Sequence, residues 1–219
     1  MTRLNGTDLQ IPTAGSASRE SKRRPGNTRA LATSFHVMKS PNRRLLPDHP
    51  RDREQVPAAA RAAANRVNGD GGPWPLVFLG AVGTGKTCAA LCLADHVLER
   101  TEYHDLPGWG LRLDQARAGR LETDRGYAVS VVGCWSGWAE AGLGIIDEIG
   151  GRERVSDAQR ESLLTLLGKR AFRPSIYISN LTIEQLADVY DDRIASRLAG
   201  GTVVVFDGPD RRLCRAGGA

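Results

Sequence analysis

The sequence predicts an α/β protein in which a parallel β-sheet lies between two layers of helices. Three observations carry this. Leu76-Val77-Phe78-Leu79, Leu143-Gly144-Ile145-Ile146 and Ser175 to Asn180 read as short strands of the kind buried on both faces. Stretches with helical spacing lie between them, the richest being Ser156 to Arg170 with Leu163, Leu164, Leu166 and Leu167 on its inner face. The first strand also runs straight into Gly80-Ala81-Val82-Gly83-Thr84-Gly85-Lys86-Thr87, which fits the phosphate-binding pattern G-x-x-x-x-G-K-[ST] at every fixed position.

That loop needs a strand before it and a helix after it, and Cys88 to Glu99 supplies a segment free of Gly and Pro. Gly80, Gly83 and Gly85 let successive backbone N–H groups turn inward as a concave anion site, to which the following helix adds its positive end. Lys86 is expected to reach the β- and γ-phosphates and the Thr87 hydroxyl to bind Mg²⁺. The nucleotide-binding set is therefore Gly80, Gly83, Thr84, Gly85, Lys86, Thr87 and, opening the helix, Cys88. The bland alternative is a glycine turn that merely joins strand to helix.

The 219 residues allow one domain with a tail, and an apolar fraction of 41% is enough for a core. We divide the chain into a basic, largely disordered arm over 1–50 and a folded domain over 51–219. Residues 1–53 carry eleven Lys/Arg against four Asp/Glu and five prolines, with no strand or helix periodicity. Such an arm suits contact with nucleic acid or another anionic surface, or is simply a solvated tail. Leu31 to Met38 could form a short helix on a partner. No run of 18 apolar residues and no secretory h-region occurs, so neither a membrane span nor export is expected. Cysteines at 88, 92, 134 and 214 lack zinc-ribbon spacing and read as small buried apolar residues of a protein in the reducing cytoplasm.

The remaining elements follow in order. Asp52 to Val67, rich in alanine, predicts a helix beside the first strand, ended by Asn68 to Pro73. Pro107 to Gly110 reads as a turn, Leu111 to Leu121 as a helix and Tyr127 to Val132 as a strand. Trp135 and Trp138 read as packing residues, with a base-stacking platform as the alternative. Thr182 opens one helix, Asp191 to Leu198 form another, and Thr202 to Phe206 are the last strand.

The second half of a nucleotide site emerges at the strand ends. The strand at Leu143–Ile146 delivers Asp147, placed to hold Mg²⁺ through water, and Glu148, placed to polarise the attacking water. Asn180 ends the next strand and should face the γ-phosphate beside Glu148. Arg193 and Arg197 are four apart on one helix face, suited to an inter-subunit phosphate contact or to pairing with Asp191 or Asp192.

These blocks, Gly80–Thr87, Ile145–Gly150, Ser179-Asn180-Leu181 and Ser196-Arg197-Leu198, together resemble the AAA+ ATPases of the DnaC/IstB group, bacterial replicative-helicase loaders and transposition helpers. The likeness covers about residues 55–212. It implies a P-loop NTPase (AAA+) three-layer fold with a short or reduced helical lid, ATP and Mg²⁺ as cofactors, and ATP hydrolysis stimulated by oligomerisation or DNA. It implies Lys86 and Thr87 as Walker A, Asp147 and Glu148 as Walker B, Asn180 as sensor 1, Arg197 as the arginine finger acting on a neighbouring subunit, Arg193 as an accessory, and Arg212 as a sensor 2 arginine with Arg211 as its rival. Partners implied are DNA, single-stranded or bent duplex, a replicative helicase or a transposase, and further copies of the chain in a spiral or ring. Gly108 to Gly142 matches the group poorly, so no DNA-contacting residue is carried over. A small-molecule kinase is the first rival, but no acceptor pocket or Arg-rich lid is found. A non-hydrolysing DNA-binding scaffold is the second, and the presence of Lys86 and Glu148 argues against it.

Overall fold

The computed structural model describes residues 42, 45–46, 48–49, 74–97, 99–151 and 155–212. The helices expected at Leu31–Met38 and Asp52–Val67, the loop Asn68–Pro73, Cys214 and most of the basic arm lie outside the described residues.

Five parallel strands form one sheet in the order β2-β3-β4-β1-β5: β1 (Leu76–Leu79), β2 (Thr101–Asp105), β3 (Leu143–Ile149), β4 (Ser175–Ser179) and β5 (Thr202–Val205). The first strand is short and wholly buried because it lies between β4 and β5, with helices over both faces. Side-chain alternation divides the core in two. Val77, Leu79, Ile146 and Tyr177 face one helical layer: α2 (Leu106–Arg117), α3 (Val131–Glu140), α4 (Asp157–Lys169), α5 (Ile183–Val189) and α6 (Asp192–Ala199). Leu76, Phe78, Ile145, Ile176, Ile178 and Val204 face the other, made among the described residues by α1 (Lys86–Ala94) through Cys88, Ala89, Ala90 and Cys92. The sheet between two layers is the three-layer arrangement expected, and the cysteines at 88, 92 and 134 are buried.

Helix starts follow local chemistry. Ser156 and Gln159 close a capping box at the start of α4, Thr182 and Gln185 another at α5, and Asp191 accepts from Ile194 N at α6.

Three expectations are corrected between residues 88 and 132, and one strand is added. The helix after the phosphate-binding loop ends at Ala94, not Glu99, because Asn42 binds the connection beyond it: its Nδ2 donates to the carbonyls of Ala94, Val97 and Glu99, and its Oδ1 accepts from Thr101 N. Thr101–Asp105, not anticipated, is the edge strand β2; its one neighbour is β3, so its charged side chains remain partly accessible. Pro107 to Gly110 is the first turn of α2 rather than a free turn. Asp105 caps it by accepting from Gly108 N at 2.6 Å, and Pro107 sits where no helical N–H is needed. Tyr127 to Val132 is not a strand; Ser130 accepts from Gly133 N and starts α3 at Val131. The β-branched run there mimics strand spacing, but the cap and the fit of Cys134 and Trp138 into the core decide for helix. Trp135 and Trp138 pack with Trp109, ring centroids 5.0 and 6.2 Å away, and Trp138 Nε1 donates to Leu166 O at 3.0 Å, so both tryptophans are packing residues.

Residues within the stretch assigned to the arm also belong to this body: Asn42 is 3% exposed, and Leu46, Asp48 and His49 line the cavity described next.

Candidate functional site: a phosphate-binding cradle at the sheet edge

Parallel strands bring β1, β3 and β4 to a common carboxyl edge, and a cavity of about 850 Å³ opens there. Val82, Gly83, Gly85, Lys86, Thr87 and Cys88 form one wall, Asp147, Glu148 and Gly151 a second, and Ser179 with Asn180 a third. Arg211 and Arg212 border the loop, while Leu46, Asp48 and His49 complete the lining.

The loop is locally built for close approach. Gly83 has φ 78°, and a Cβ there would run into the Asp210 carboxylate; Gly80 has φ 141°, and a Cβ there would meet the Phe206 carbonyl. The chain after β5 is thus laid directly on the loop, held by Arg211 N donating to Gly83 O at 3.0 Å. Thr84 Oγ1 donates to Ala81 O at 2.9 Å, which fixes the loop without lining the cavity. Lys86 Nζ donates to Gly80 O and Ala81 O, each at 2.7 Å, leaving the third ammonium hydrogen for an anion. Burial pulls its pKa below the ordinary value, and the Asp147 carboxylate partly offsets that. Gly85, at φ 98°, supplies no side-chain cap to α1, so the first N–H groups of that helix face the same cradle.

Asp147 is the most constrained acid. Its Oδ2 accepts from Thr87 Oγ1 at 2.7 Å and from Tyr103 OH at 3.1 Å, and its Oδ1 accepts from Glu148 N at 2.7 Å. Burial first, then the Asp147 carboxylate, raises the Tyr103 phenol, so it stays a donor. The β3–β4 register slips by one residue between Ile146 and Ile149, a bulge that spans Asp147 and Glu148. Glu148 takes up the left-handed conformation with φ 57° and is exposed, whereas Asp147 is buried. Partial burial, then the carboxylates of Asp105 and Asp147, push the Glu148 pKa above the usual glutamate value. Behind the bulge, Gly150 N donates to Tyr190 OH at 3.0 Å, and Arg160 Nε donates to Tyr190 O at 2.7 Å, tying β3 to α4 and α5.

Of the residues expected from sequence, the fold brings Gly83, Gly85, Lys86, Thr87, Cys88, Asp147, Glu148, Asn180 and both Arg211 and Arg212 to one cavity. Gly80 and Thr84 stand behind it as supports. Arg193 and Arg197 do not line it. Both are exposed on α6, Arg193 beside Asp191 at 3.5 Å and Arg197 donating to Leu164 O at 3.4 Å. Tyr103, Leu46, Asp48 and His49 were missed: the tyrosine matters only through the β2–β3 register, and the other three belong to a stretch with no periodicity.

Thr87 and Asp147 fit a hard divalent cation. They offer two bonded oxygens, and among the described residues no cluster of three His, Cys, Asp or Glu forms a self-sufficient metal cage. That suits Mg²⁺, which keeps waters and shares phosphate ligands.

The fold is that of the P-loop NTPases of the AAA+ type. Solved structures similar to it include the AMPPCP-bound DnaA of Aquifex aeolicus (18% identity, TM-score 0.56, 71% of this chain and 50% of that one). They also include a DnaC helicase loader (20%, 0.54, 73% and 93%) and DnaI (19%, 0.53, 70% and 82%). The chain spans about half the length of the DnaA chains bound to AMPPCP that it matches. No family model and no curated protein sequence matches it. Among the described residues no helix is long and apolar enough to cross a membrane.

Proposed function

We propose that this protein is an ATP-dependent, DNA-associated ATPase that assembles on DNA and loads or recruits a partner, as a replicative-helicase loader of the DnaC type. The observation that carries the ATPase reading is the bond between Thr87 and Asp147 with Glu148 standing exposed beside it on a bulge. The loop N–H groups and Lys86 bind the triphosphate, Arg211 and Arg212 add charge at its rim, and Thr87 with Asp147 would hold Mg²⁺. Bound Mg²⁺ would neutralise charge on the phosphate oxygens. Glu148 orients and polarises the attacking water, and Asn180 senses the γ-phosphate. Arg197, helped by Arg193, acts on the nucleotide of a neighbouring subunit, a reading supported by the exposed position of both arginines outside their own cavity. The basic arm over 1–50 contacts DNA or the partner, in a cytoplasmic setting.

The loader reading is preferred because the chain covers most of the DnaC structure it resembles in fold. The test is ATP turnover against protein concentration, with and without single-stranded DNA. Turnover per subunit should rise with concentration, since an arginine supplied in trans accelerates hydrolysis by about 10³–10⁵-fold. A rate that is flat and fast at high dilution argues against shared sites. Capture by a hexameric helicase supports the loader; capture by a transposase instead assigns the helper role of IstB.

A further inference from the structure

Resting on the ATPase reading, we propose that Tyr103 is a positioning residue for the divalent cation: from the neighbouring strand, its hydroxyl fixes the Asp147 carboxylate in the orientation that receives the metal. Tyr103 does not line the cavity, so it acts from behind the acid and not on the ligand. In the register of β2 with β3, Tyr103 pairs with Ile145 and Asp105 with Asp147. The phenol therefore starts two positions upstream of the acid and reaches along the strand to Oδ2, 3.1 Å away.

Asp147 needs this support because of where it sits. It lies at a bulge, where the regular ladder to β4 is interrupted and only the pairing with β2 continues, so the ladder on the β4 side does not set its side-chain direction. Three donors set it instead. Glu148 N holds Oδ1, and Thr87 Oγ1 and Tyr103 OH share Oδ2. Of these, the Thr87 hydroxyl also has a cation to serve, and Glu148 N belongs to the acid placed beside the attacking water. Tyr103 is the donor with no second task, packed by its ring against the Leu143–Ile145 side of the core. Partners that orient metal-binding carboxylates from outside commonly set metal affinity more than fold stability.

The test is the affinity of a fluorescent ATP analogue measured across a Mg²⁺ titration for wild type, Tyr103→Phe and Asp147→Asn, with melting curves for each. Phenylalanine keeps the ring and its packing and removes only the donor. The expected result is a Mg²⁺ midpoint raised about 10-fold in Tyr103→Phe, with affinity in EDTA within about twofold of wild type and full recovery at saturating Mg²⁺. A merely structural tyrosine would lower the melting temperature without a metal-dependent shift. A midpoint within about twofold of wild type, while Asp147→Asn shifts strongly, overturns the role of Tyr103 and leaves the ATPase reading standing. Wild type that binds no nucleotide at any Mg²⁺ concentration removes both.

Discussion

Replacing Arg170 with methionine should destabilise the domain by about 3–5 kcal/mol. Arg170 is 3% exposed and among the described residues makes no ion pair. Its guanidinium instead closes the end of α3, where carbonyls have no helical partner. Nη1 donates to Trp138 O at 2.7 Å and Ala141 O at 2.8 Å, Nη2 donates to Pro174 O, and Nε donates to Ser175 Oγ at 3.0 Å. Burial lowers its pKa to about 10, so it is charged at neutral pH. Methionine retains most of the stem but also loses the guanidinium stacked over Trp138, whose ring centroid is 5.3 Å from the guanidinium carbon. It leaves the Trp138 and Ala141 carbonyls without their donor, each worth about 1–3 kcal/mol, less what water regains at the helix end, whereas the Pro174 carbonyl keeps Gly144 N and the Ser175 hydroxyl keeps the Arg173 carbonyl. For a domain of this size a loss of that order lowers Tm by about 10 °C. Urea unfolding followed by tryptophan fluorescence and circular dichroism measures it. Lysine at the same position, reaching fewer of the carbonyls, should fall between. A methionine variant within about 0.5 kcal/mol of wild type would refute the capping argument.

Four further outcomes are expected. Lys86→Ala should weaken ATP binding by about 30–100-fold, equivalent to about 2–3 kcal/mol, as read by calorimetry. Glu148→Gln should keep ATP binding but cut turnover by about 10²–10⁴-fold, seen as a trapped oligomer by light scattering; rapid turnover would contradict the role of Glu148. The raised Glu148 pKa means that turnover, which needs the carboxylate, is lost on acidification at a higher pH than for an ordinary glutamate. Asp105→Asn keeps the α2 cap but removes one repelling charge, so the acid limb of the pH–rate profile should move to lower pH; an unmoved limb assigns it to another group. Asn42→Ala removes four hydrogen bonds from the α1–β2 connection and should cost about 2–4 kcal/mol in denaturant unfolding.

What could be read in the sequence was set by how local the deciding physics is. The strand at Leu76–Leu79, the glycine loop and the capped helix at Asp157–Lys169 announce themselves within a dozen residues, because apolar runs, glycines and a capping box are local signals. The edge strand Thr101–Asp105 does not, since Glu102 and His104 pair with each other at 2.9 Å on a half-open face and supply no apolar alternation. The early end of α1 depends on Asn42, whose carbonyl partners lie more than fifty residues away. The site behaved likewise. Its acids and loop were legible as a motif, but the bulge that exposes Glu148 while burying Asp147, and the tyrosine behind them, come from strand register.

The chain after β5 lies on the glycine loop, and Leu46, Asp48 and His49 line the same cavity. Both ends of the domain therefore converge on one ligand's volume. A molecule seated there would act as a rivet added to the contacts these segments already make, those of Asn42 with the α1–β2 connection and of Arg211 with the loop. Pulled from its termini in an optical trap, the protein should yield at higher force with nucleotide bound, giving any tethered partner a mechanical readout of the cavity's contents.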